Sequence, residues 1–101
     1  ATGRATHPWI GAVTAEITQD MADRFGTPSG LFVQDVSEGG PADAAGLEAG
    51  DIITRLSGNP ATSLGLGWLL VSAKVGDDIP IEFARDGVLQ NATLTLAEQP
   101  A

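Results

Sequence analysis

The chain has no cysteine, a single histidine and only five lysines and arginines among its 101 residues. Each shortage excludes something. Without cysteine there can be no disulfide framework, no thiolate nucleophile and no Cys-ligated zinc, and both reducing and oxidising compartments stay open. Five basic residues against 13 acidic ones give a formal charge of −8, which repels phosphate backbones and anionic lipid and argues against nucleic acid as a partner. Long apolar runs are missing too. The longest strictly apolar stretch is residues 68–71, far short of the roughly 20 that span a bilayer, so no membrane span is expected. The one histidine, His7, lies directly before Pro8 in a small polar segment, so no Ser-His-Asp set can be assembled around another. The chain opens on Ala1, with no initiator Met and no cationic-then-apolar leader, and is expected to be a piece of something longer.

What is present is an ordinary globular composition, 43% hydrophobic and 18% charged with 13 Gly and 6 Pro, enough for one core and not for two. Residues 1–8 carry no period and read as a linker, residues 9–97 as the domain and 98–101 as a tail. A strand-like stretch over 10–17 is followed by Thr18, an N-cap for a short helix over 19–25 that Gly26 closes. Residues 31–36 form a strand with Leu31, Val33 and, after an irregularity, Val36 turned inward. Pro41 starts a helix of little more than a turn. A strand over 51–56 ends in the breaker sequence Ser57-Gly58-Asn59-Pro60. The longest helix is expected over 64–74, with Leu66, Leu69, Leu70 and Ala73 as its buried stripe. Ile79, Ile81 and Phe83 alternate, Asp86-Gly87 marks a hairpin, and Leu94 and Leu96 alternate on the return. Pro80 belongs on an edge or a strand start. Strands outnumber short, scattered helices, so the expected architecture is mainly β (α+β), a small, partly open antiparallel barrel capped by helices.

Few residues carry chemistry. Asp20 and Asp23 complement the dipole of the first helix, and Asp77-Asp78 follow Gly76 in a loop, so both pairs read as solvated structural carboxylates and no metal or cofactor is expected. Gly65 and Gly67 lie inside an apolar helix with no Lys-Ser/Thr behind them and make no phosphate cradle.

The informative run is Gly40-Pro41-Ala42-Asp43-Ala44-Ala45-Gly46-Leu47-Glu48-Ala49-Gly50-Asp51-Ile52-Ile53, which resembles the helix-turn-strand signature of PDZ domains. Val75-Gly76-Asp77 and Arg85-Asp86-Gly87 fall where bacterial members have turns. Trp9-Ile10-Gly11-Ala12 stands where the HtrA/Deg serine-protease branch has its aromatic-hydrophobic-Gly-hydrophobic loop, and the resemblance covers residues 7–97. It implies a PDZ-like partly open barrel or sandwich of five to six strands capped by two or three helices, without catalytic residues, and an extracytoplasmic home beside a protease domain in cis. It also implies capture of hydrophobic C-terminal peptides of unfolded or regulatory proteins by strand addition, the terminal carboxylate held by the loop of Trp9, Ile10, Gly11 and Ala12 through the amides of Ile10, Gly11 and Ala12. A glycine at position 11 lets the main chain approach an anion. Arg4 and His7 are candidates for charge assistance, and Val13, Ser63, Gly67, Leu70 and Val71 for the groove. Trp68 either packs on the sheet or stays exposed for a partner. The alternative role is a structural module that docks a neighbouring domain or mediates oligomerisation.

Overall fold

The computed structural model describes residues 8–98. In chain order the elements are β1 (Pro8–Trp9), β2 (Ala12–Ile17), α1 (Gln19–Phe25), β3 (Gly30–Val36), α2 (Pro41–Ala44), β4 (Ile52–Leu56), β5 (Asn59–Pro60), α3 (Ser63–Ser72), β6 (Asp78–Arg85), β7 (Val88–Thr95) and β8 (Ala97–Glu98). The main antiparallel sheet runs β2-β3-β4-β6-β7, with β5 folded back on β4, and β1 pairs separately with β8. This is the mainly β, helix-capped architecture that the strand-rich pattern implies.

Local chemistry explains most boundaries. The Thr18 hydroxyl accepts from the Met21 amide at 3.3 Å, and Gly26 ends α1 at φ 66°. Asp86 and Gly87 both have positive φ, 52° and 78°, the pairing a two-residue type I′ hairpin requires. Ser57 and Gly58 do the same at 50° and 81°. They turn β4 back into β5, where sequence reasoning expected only a break. Pro80 is not on an edge, since β6 lies between β4 and β7. It precedes the first β4 pair, Leu56↔Ile81, and its carbonyl accepts from Ser57 N–H at 2.8 Å, so the missing donor falls where β4 has already turned away. The expected strand over 10–17 divides at Ile10 and Gly11, and Pro8, assigned to the linker, already pairs with Glu98.

The core gathers Leu31, Val33, Ile53, Leu94 and Leu96, each below 2% exposure. Burial of each stabilises the fold by about 1.5–3 kcal/mol. The stripe Leu66, Leu69, Leu70 and Ala73 packs on this core, but only half-buried, and α3 has no fully buried residue.

Behind the sheet, Asp51 is buried and receives two hydrogen bonds from Arg85, from Nε at 2.9 Å and from Nη2 at 2.7 Å, and one from the Glu48 amide at 2.9 Å. Arg85 also donates to the Gly46 carbonyl at 2.7 Å and pairs with Glu48 at 3.1 Å. Burial alone would raise the Asp51 pKa; the Arg85 bonds, the Glu48 amide and the guanidinium charge outweigh it and hold the carboxyl below its ordinary value. The turn that carries α2 is thereby bolted to the sheet.

Candidate functional site

The site is built on the loop between β1 and β2. Its glycine, Gly11, has φ 73°, a left-handed conformation in which a side chain is strained. A Cβ there would also stand 3.1 Å from Pro41 Cδ and 3.2 Å from Gly40 Cα, and one on Gly40 would meet Gly11 Cα at 3.2 Å and the Trp9 ring at 3.3 Å. The Gly40-Pro41 step is therefore the seat on which the loop rests as well as the start of α2.

Hydrogen bonds fix how the loop is turned. The Ile10 carbonyl accepts from Ala42 N–H and the Gly11 carbonyl from Ser37 N–H, both at 2.8 Å. No described peptide bond is cis, and in a trans peptide plane the carbonyl and amide point in opposite directions. The N–H groups of Gly11 and Ala12 consequently aim away from α2 and from the end of β3.

The strand that follows is a border. Among the described residues β2 pairs only with β3. Since Ser37 donates to Gly11, the alternation of an antiparallel ladder leaves the main-chain groups of Ala12, Thr14 and Glu16 on the open side. The side chains of these three share a face with Val36, Val33 and Leu31, two of which are fully buried, so they lie on the core side of the sheet. The Glu16 carboxylate reaches α3 there and accepts from the Ser63 amide at 2.6 Å. One carboxylate thus ties the far end of β2 to the first turn of the helix.

Of the residues expected at the site, Ile10, Gly11 and Ala12 form the loop, with the Ile10 side chain in the core at 3% exposure and Trp9 half-buried. Ser63 meets Glu16, Gly67 faces open space, Leu70 is half-buried and Val71 is 80% exposed. Val13 departs from its expected place in the groove. It pairs with exposed Asp35 on the outer face, because side chains alternate along a strand. Arg4 and His7 lie outside the described residues. Asp77 and Asp78 do local work, accepting from the Lys74 amide at 2.9 Å and from the Thr95 hydroxyl at 2.7 Å. Trp68 is 67% exposed and borders a cavity of about 540 Å³ on the flank of α3 toward β4 and β5, shared with Leu56, Pro60, Leu69 and Ile79. Sequence reasoning missed Thr14, Glu16, Asp35 and the seating role of Gly40. Only Gly40, beside a proline in a Gly-Gly-Pro run, carried a signal.

A sheet bordered by a short open strand, a positive-φ glycine loop at its head and a helix alongside defines the class: the chain belongs to the PDZ domain family, whose model matches residues 8–96. Within that family its likeness is to HtrA- and DegP-type serine proteases. It is 37% identical over 103 residues to a probable periplasmic serine endoprotease, DegP-like, of Ectopseudomonas mendocina, covering 99% of this chain and 22% of that protein. Among solved structures it is similar to the HtrA-type protease AlgW with a decapeptide, at TM-score 0.83 and 25% identity over 99% of this chain and 32% of that one. The fold also matches the HtrA3 PDZ domain bound to a phage-derived ligand, FGRWV, at TM-score 0.79 and 23% identity over 94% and 89% of the two chains. The chain spans about a fifth of the length of the curated relatives it matches.

Proposed function

We propose that this domain captures the free C-terminus of polypeptides ending in a hydrophobic residue, adding the ligand as a further strand on β2. The observation that carries the reading is the open border of β2 headed by two outward amides, Gly11 and Ala12. A carboxylate placed there accepts charge-assisted bonds that contribute about 1.5–3 kcal/mol each, and the last side chain is buried toward α3, whose Gly67 leaves room. After association costs the affinity is on the order of micromolar. That AlgW carries a decapeptide and the HtrA3 PDZ domain a phage-derived ligand supports a peptide-binding role. The ligands are C-termini of unfolded or regulatory proteins, and the domain serves, outside the cytoplasm, as the recognition part of a DegP-like protease in cis, as its periplasmic relatives suggest.

Titration with FGRWV and its C-terminally amidated form tests the reading. Amidation is expected to weaken binding at least tenfold, and equal affinity would overturn carboxylate capture. A second reading, docking of a neighbouring domain or oligomerisation, is favoured by the outer face of α3, where Leu64, Trp68 and Val71 are 74%, 67% and 80% exposed. It predicts association that is indifferent to amidation.

A further inference from the structure

We propose that Asp35 makes this groove select ligands with a basic residue immediately before the last one. The inference rests on the strand-addition reading and follows from its register. With the open main-chain groups on Ala12, Thr14 and Glu16, an antiparallel ligand whose carboxylate meets the Gly11 and Ala12 amides gives its last N–H to the Ala12 carbonyl. Its residue two positions back then exchanges both bonds with Thr14. The residue between stands opposite Val13, and residues opposite one another project to the same face. That face is the outer one, where Val13 is 54% exposed and pairs with Asp35.

Asp35 is placed to be read from there. One of its carboxylate oxygens, Oδ1, accepts from the Val36 amide at 3.0 Å on the flank of β3 away from β2, which leaves Oδ2 to meet a cation arriving over Val13. Two strand spacings, about 10 Å, separate the ligand backbone from that of Asp35. An extended Arg or Lys side chain crosses this gap by laying its stem on Val13 and meeting the carboxylate at its tip. A short or acidic residue at that position cannot. The register shift between Val13 and Thr14 matters here, since it puts Asp35, and not Gln34, opposite Val13. The charge of −8 works in the same direction, because a basic ligand residue offsets the repulsion its own carboxylate meets.

The test is calorimetric titration of the protein and its Asp35→Asn variant with FGRRV, FGRQV and FGREV. Asparagine keeps an acceptor for the Val36 amide, so the fold is expected to stay intact. The unaltered protein is expected to bind FGRRV about two- to fivefold more tightly than FGRQV, the range for an exposed ion pair, and FGREV most weakly. Asp35→Asn should bring the FGRRV/FGRQV ratio close to one. FGAQV against FGRQV is expected to give the same ratio in both proteins, because the third residue from the end projects toward α3. An FGRRV/FGRQV ratio that Asp35→Asn leaves unchanged overturns the role of Asp35 while capture stands. Equal binding of FGRRV and its amide overturns capture itself.

Discussion

The two helices that border the site are held in opposite ways. The shorter one, α2, has four residues, and two of them, Pro41 and Ala42, are buried. It seats the Gly11 loop through Gly40 and Pro41 and is bolted to the sheet through Asp51 and Arg85. By contrast α3 has ten residues, none of them fully buried, and no charged side chain. It is held by half-buried leucines and, at its start, by Thr62 and Glu16. Length is a poor measure of anchorage: the four-residue helix is an abutment and the ten-residue helix a wall laid against the core. On the proposed function, one fixed and one lightly held side keep the carboxylate geometry constant while the groove adapts to the last side chain of the ligand.

Breaking the abutment should have the largest effect. Asp51→Ala is expected to cost about 3 kcal/mol, because Arg85 and the Glu48 amide lose a buried partner. Since the folded pKa of Asp51 is lowered, its contribution is complete above the unfolded value of about 3.9 and is lost as pH falls through the lower folded value. Urea titrations from pH 7 down to 2 should show the gap between the two proteins closing only at the acid end, and a gap that is constant with pH would deny the ion pair its share. On the α3 side, Gly67→Leu fills open space in an exposed helical position. It should stabilise the fold by up to about 1 kcal/mol in thermal melts while shifting preference toward smaller terminal residues. Unchanged selectivity would move the groove away from Gly67. The smallest effect belongs to Trp68→Ala, within about 0.5 kcal/mol in the same melts, since the ring is 67% exposed. A larger loss would mean that this wall is fixed more firmly than its burial indicates.

Much of this was legible in the chain. Thr18 and Gly26 delimit α1, Pro41 opens α2 and Asp86-Gly87 turns the β6-β7 hairpin, because caps and turns depend on residues close in sequence. The stripe of α3 was legible as periodicity, but its depth was not, since burial depends on how closely the helix lies on the sheet. Gly11 was legible through the resemblance of residues 9–12 to the family's loop. The Glu16 bond to Ser63 joins residues 47 apart, and the place of Asp35 beside Val13 depends on a register shift that no local pattern encodes.

The short ladder of β1 with β8 pairs Pro8 with Glu98 and Trp9 with Ala97, so the polypeptide enters and leaves the fold through a single two-rung clasp. Force applied to both ends would open that clasp before it loaded the main sheet. The first side chain released would be Trp9, whose ring lies against Gly40 behind the Gly11 loop, so tension from flanking segments would reach that loop directly.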